Sequence, residues 1–148
     1  MKLGISINRE ILTHPLSKQQ IHEELRHFVE FFSAKGVTTC RVLFGFAWGN
    51  EYYPSNEWSD EEIELTNLIK KVEEVEASGL GAVGSDDLFV KVPSMEFQFC
   101  HESDIHISFT EHHPDTESFL QRWKTQGFKP AEWIKNEGGG PGEKVRDA

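Results

Sequence analysis

The alternation of apolar and polar residues between Met95 and Phe109 constrains this chain more than any other stretch. Two segments, "MEFQFCH" and "DIHISFT", read as strands joined by a tight turn. Side chains in a strand alternate between faces, so a register slip of one residue moves every side chain to the other side. With a two-residue loop, Phe97 and Phe99 share a face with His106 and Ser108, and both faces become half apolar. With a loop of three or five residues, Phe97, Phe99, Ile105, Ile107 and Phe109 all fall on one side. The odd loop is therefore expected, with Cys100 directly opposite His106 on the polar face, their Cβ atoms roughly 5 Å apart.

The remaining segments place helices around this hairpin. "LGISI" (3–7) reads as a short first strand. Ser17 and Gln20 form a capping box, and Ile21, Leu25, Phe28, Val29 and Phe32 then lie on one helical face up to a stop at Lys35-Gly36. "VTTCRVLFGF" (37–46) is β-branched and aromatic, a strand with Cys40 among its inward residues. A second capping box, Ser59 with Glu62, precedes Leu65, Leu68, Ile69, Val72 and Val75, a second amphipathic helix ending near Gly79. "DDLFVKV" (86–92) is a strand stopped by Pro93. "PDTESFLQRWKTQG" is a third helix, with Pro114 in its first turn and Gly127 at its C-terminal cap. The order β-α-β-α-β-β-β-α implies an α+β fold: a mixed or mostly antiparallel sheet of four to five strands, with helices largely on one face. The early β-α-β unit adds a parallel pair in this reading. Residues 1–134 are expected to form a single globular domain. Residues 135–148, rich in glycine and poor in apolar residues, are expected to be a flexible tail.

Composition limits the function. The 148 residues carry a net charge of −10, which opposes direct binding to nucleic acid or to anionic membrane, since both call for a basic face. Eleven Phe and four Trp are enough to fill one core. Cys40 and Cys100 do not make a disulfide framework. No apolar run approaches a membrane span, and "MKLGISINREILTH" lacks a signal-peptide core, so a cytoplasmic location with reduced thiols is expected.

The segment "FCHESDIHISFTEHH" (99–113) concentrates a thiol, four histidines and several carboxylates. A Cys100–His106 pair, assisted by Asp104 or His101, defines an enzymatic alternative with the thiol as nucleophile and the imidazole as base. Metal spacing is poor: there is no C-x-x-C or H-E-x-x-H, and His112 lies up to roughly 20 Å along an extended chain from His106. His22 and His27 are five apart on a helix, on different sides. The sequence reading therefore assigns neither a metal nor a cofactor. "GLGAVG" (79–84) matches G-x-G-x-x-G but follows a helix and precedes a strand, the reverse of a dinucleotide site, so it reads as a helix cap and connector. Asp86 and Asp87 are adjacent at a strand entry and point to opposite faces, which suits a turn better than a shared site.

"AWGNEYYPSNEWSDEEIE" (47–64) combines aromatic residues with carboxylates and has no Lys or Arg. Trp48, Glu51, Tyr52, Tyr53, Glu57, Trp58, Asp60 and Glu61 are the candidate partner-binding residues: aromatic anchors with carboxylates that steer a basic protein. A structural account competes with this. Asp60, Glu61 and Glu62 suit a helix N-terminus, and Trp48 and Trp58 suit lids over the sheet edge. Trp123 and Trp133 read as helix-packing residues. The expected function is a non-enzymatic acidic protein that binds a basic partner. An immunity protein that neutralises a basic toxin such as a nuclease is the concrete form, resembled in general character only, being small, acidic and poor in motifs.

Overall fold

A computed structural model describes residues 7–45, 60–110, 113–136 and 143–147. Among these residues, eight strands form one sheet: β1 (Ile7–Leu12), β2 (Thr39–Phe44), β3 (Glu61–Glu64), β4 (Leu88–Val92), β5 (Met95–Phe99), β6 (Ile105–Phe109), β7 (Ala131–Asn136) and β8 (Glu143–Asp147). Their spatial order is β3-β2-β4-β5-β6-β1-β7-β8, and every pairing among these strands is antiparallel. Among the described residues, three helices accompany them: α1 (Lys18–Ala34), α2 (Leu68–Ala77) and α3 (Pro114–Gln126).

The apolar patterns explain the layering. Cys40, Val42 and Phe44 on β2, Leu88, Val90 and Val92 on β4, Met95, Phe97 and Phe99 on β5, and Ile105, Ile107 and Phe109 on β6 are all buried. They pack against Ile21, Leu25, Phe28 and Phe32 of α1, Leu68, Val72 and Val75 of α2, and Phe119 and Trp123 of α3. Phe97 is the hub: its ring lies 4.7 Å from that of Phe28 and 4.9 Å from that of Phe119, both edge-to-face. The fold is therefore α+β, with the helices on one face of the sheet.

Helix ends follow local chemistry. The Ser17 hydroxyl accepts from the Gln20 amide at 3.1 Å, and the Gln20 side-chain oxygen accepts from the Ser17 amide at 2.9 Å, completing the capping box. Pro114 occupies the first turn of α3. Gly127, with φ +77°, ends that helix in the left-handed conformation that glycine adopts without steric cost.

Four expectations need correction. First, β1 and β2 are not neighbours. β1 lies between β6 and β7 and β2 between β3 and β4, so the early β-α-β unit gives no parallel pair. Second, residues 3–6 of the expected strand 3–7 lie outside the described residues, and the described strand continues to Leu12; "INREIL" carries only part of an apolar alternation, and pairing with β6 and β7 carries it that far. Third, the Ser59–Glu62 capping box does not start a helix. Ser59 lies outside the described residues, while Glu61–Glu64 is a strand paired with Thr39–Val42. The helical segment begins later, with a 3-10 turn at Leu65–Asn67 leading into α2. Asp60, Glu61 and Glu62 therefore do not sit on a helix dipole. Fourth, Trp133 lies on a strand, and Glu143–Asp147, inside the segment read as a flexible tail, pairs with that same strand. Among the described residues the sheet consequently has eight strands, more than the four to five expected.

Candidate functional site

The β5–β6 turn builds the only dense cluster of chemistry-bearing side chains that the sequence reading singled out within the described residues. Phe99 pairs with Ile105 and Gln98 with His106. The Cys100 amide then donates to the Asp104 carbonyl at 2.8 Å, leaving His101, Glu102 and Ser103 as a three-residue loop. Ser103 has φ +68°, the left-handed residue that such three-residue loops use to return the chain to the ladder. The odd loop and its apolar face are as the sequence implied. The expected direct opposition is not: Cys100 faces Asp104, and His106 is its diagonal neighbour. A loop two residues shorter than the register implied by a Cys100–His106 pair accounts for the offset.

Cys100, Asp104 and His106 nevertheless meet. Their ligating atoms lie within 4.8 Å of one another. Nε2 of His106 lies 3.0 Å from Oδ2 of Asp104, and Nδ1 lies 2.5 Å from Oε1 of Glu10 on β1. Burial opposes a charge on His106, but the flanking Asp104 and Glu10 carboxylates outweigh it and push the imidazole up to about 9. Burial likewise works against ionised Asp104, and the contact with His106 holds its carboxyl below the ordinary range. Cys100 is only 5 % exposed. Burial, with the negative charge of Asp104 beside it, pushes the thiol up to about 12.

A second group shares the same sulfur. Oδ1 of Asp87 accepts from the His101 amide at 2.8 Å and lies 3.0 Å from Nδ1 of the His101 ring, and Gln98 Nε2 donates to it at 3.3 Å. Nδ1 of His101 is 3.8 Å from Sγ of Cys100. Asp87 is held in turn by Gly45, whose amide donates to the Asp87 carbonyl at 2.8 Å. Burial opposes the Asp87 charge, and the hydrogen bonds from His101 and Gln98 prevail, so its carboxyl sits below the ordinary range.

Chemically, this arrangement holds a protonated thiol beside an imidazolium at neutral pH. A thiol nucleophile needs its pKa lowered, as beside a cation at an accessible position, and burial moves Cys100 the other way. Sequence reasoning had named Cys100, His101, Asp104 and His106 here but had missed Glu10 and given Asp87 a turn role. Glu10 lies 96 residues from His106, and only the placement of β1 beside β6 brings them together.

The partner-binding candidates divide. Trp48, Glu51, Tyr52, Tyr53, Glu57 and Trp58 lie outside the described residues. Asp60 Oδ1 pairs with Arg41 at 2.9 Å and Glu61 with Lys71 at 3.0 Å. Beyond them, Glu62 and Glu64 are exposed on β3, which is the outermost of the described strands on its side of the sheet. "GLGAVG" falls in the connector between α2 and β4, as its orientation implied. No helix among the described residues is long and apolar enough to cross a membrane.

Fold and site together define an α+β protein with a one-sided helical layer and a polar cluster at one hairpin turn. The chain matches no known protein family, no curated protein and no solved structure.

Proposed function

We propose that this is a non-enzymatic acidic protein that binds a basic protein partner, with an immunity protein against a basic toxin such as a nuclease as the concrete form. The observation that supports this best is the acidic strand β3, outermost among the described strands on its side of the sheet. β3 reads Glu-Glu-Ile-Glu, presents Glu62 and Glu64 to solvent, and directly continues the aromatic, carboxylate-rich segment 47–60. Charges on an edge strand oppose pairing with another copy, while a carboxylate row attracts a basic surface and mimics the phosphates such a surface would otherwise bind. The net charge of −10 adds a long-range field of the same sign.

Affinity capture from native lysate with the tagged chain, at low and high salt, tests the reading. A basic protein should be retained at low salt and released at high salt. Joint Glu62→Lys and Glu64→Lys reversal, and separately Trp58→Ala, should weaken its retention. Retention unchanged by salt and by all three substitutions would refute the assignment of this surface.

The convergence of Cys100, Asp104 and His106 favours one second reading, an enzyme using Cys100 and His106. It requires alkylation of Cys100 by iodoacetamide well below the ordinary thiol pKa of about 8.5.

A further inference from the structure

We propose that Cys100, Asp104 and His106 form a binding site for a borderline divalent transition metal of the zinc type. The site goes beyond the partner-binding reading and does not depend on it.

Three observations carry it. The first is convergence. A thiol sulfur, a carboxylate oxygen and an imidazole nitrogen lie within 4.8 Å of one another, with the nitrogen and oxygen 3.0 Å apart. Ligand atoms around one tetrahedral zinc are separated by about 3.3–3.8 Å, given bond lengths near 2.0–2.3 Å. Shifts of about an ångström bring the three atoms onto such a shell.

The second is unmet hydrogen bonding. Oδ1 of Asp104 and Nε2 of His106 are both buried without a hydrogen-bond partner. The 3.0 Å contact of Nε2 with Oδ2 is an ion pair whose geometry is not that of a hydrogen bond. Buried polar atoms in native proteins are overwhelmingly partnered, and each exception calls for a reason. A cation between them would partner both.

The third is the setting of the imidazole. Glu10 is bonded to Nδ1 of His106, which directs the opposite nitrogen, Nε2, toward Asp104. Metal-binding histidines commonly carry a carboxylate on the ring nitrogen that faces away from the ion, which fixes ring orientation and raises basicity. Glu10 would be the positioning residue here. His101 flanks the site on the same sulfur, its Nδ1 3.8 Å from Sγ of Cys100 and 3.0 Å from Oδ1 of Asp87, so Cys100, Asp104 and His106 are the converging protein ligands.

The donor set selects the ion. A thiolate with imidazole and one carboxylate favours zinc-type metals over magnesium or calcium, which take all-oxygen shells. Binding forms metal–sulfur, metal–nitrogen and metal–oxygen bonds. It releases the Cys100 thiol proton and the His106 Nε2 proton to water, with no change of oxidation state.

The test uses the full chain, stripped with a chelator and kept reduced with a phosphine, titrated with Co²⁺. Binding at Cys100 should give a thiolate-to-cobalt charge-transfer band and the visible bands of a tetrahedral ion, saturating at one Co²⁺ per chain and displaced by Zn²⁺. Cys100→Ser should abolish the charge-transfer band, while Cys40→Ser, on the core side of β2, should keep it. Glu10→Gln should weaken Co²⁺ binding by roughly 10–100-fold while retaining the band. Absence of the band in the wild-type chain at millimolar Co²⁺ would overturn the proposal, as would its survival in folded Cys100→Ser.

Discussion

The Glu24 carboxylate offers the sharpest test of how this fold is held together. Glu24 lies on α1, is 3 % exposed and is enclosed by α3. It accepts three bonds from Arg122, Nε to Oε1 at 3.2 Å, Nε to Oε2 at 3.0 Å and Nη2 to Oε2 at 2.7 Å, and one from the buried Trp123 indole, Nε1 to Oε1 at 3.0 Å. Glu24→Leu loses the charge-assisted bonds and leaves the indole N–H without an acceptor in the core. Charge-assisted bonds contribute about 1.5–3 kcal/mol and an orphaned buried donor costs about 1–3 kcal/mol, partly offset by the added apolar burial. A net loss of about 3 kcal/mol is expected. Arg122→Leu leaves the buried carboxylate with the indole as its remaining donor from this network. Breaking a buried pair costs about 3–5 kcal/mol, and Arg122, 28 % exposed at its side chain, places this case at the low end, about 3 kcal/mol. The double variant should cost about 3–4 kcal/mol, well short of the roughly 6 expected from addition, because the second change removes a group that the first had stranded. Adding Trp123→Phe should recover about 1 kcal/mol by removing the orphaned donor. Urea unfolding followed by circular dichroism measures each value, and a loss of 3 kcal/mol corresponds to a fall of about 6–12 °C in Tm for a chain of this size. Additive single-variant losses would refute the buried network as the link between α1 and α3.

Two further perturbations probe the hairpin cluster. Gly45→Ala puts a Cβ 2.5 Å from Cβ of Asp87 and 3.0 Å from its carbonyl oxygen, so backbone must move; a loss of about 1–3 kcal/mol in urea unfolding is expected, and a wild-type midpoint would contradict the packing. His106 has its pKa raised to about 9 in the folded chain by Asp104 and Glu10 prevailing over burial, against an ordinary value near 6.5. Its stabilisation is therefore fully present below about pH 6.5 and is lost as pH rises through about 9, on the order of 3 kcal/mol in all. In chelator, wild-type stability should fall across that window relative to His106→Gln, and parallel pH profiles would exclude a buried imidazolium.

Local patterns settled much of this structure. The capping box at Ser17, the α1 stripe, Gly127 and the apolar faces of β4, β5 and β6 follow from interactions within a few residues, so they are legible in the chain. The odd hairpin loop is legible for the same reason: only that parity puts Phe97, Phe99, Ile105 and Ile107 on one side. The misreading at Ser59–Glu62 shows where local rules stop. Glu61–Glu64 has a helix-start composition but gains backbone partners on β2, 19 to 25 residues earlier in the chain, and pairing outweighs a capping preference of about 1 kcal/mol.

The sequence by itself determined an acidic, cysteine-poor chain with one aromatic core, three amphipathic helices and a hairpin whose polar face carries Cys100 and His106. Tertiary structure alone decided the sheet order, the all-antiparallel pairing and the strands β3, β7 and β8, because strand partners far apart in sequence leave no periodic trace. It also decided the chemistry at the hairpin turn. Glu10 reaches His106 from 96 residues away, and Asp87 reaches His101 across 14. A side chain's charge state depends on what surrounds it in space, so the same histidine that reads as a free base in the sequence is an imidazolium between two carboxylates in the fold.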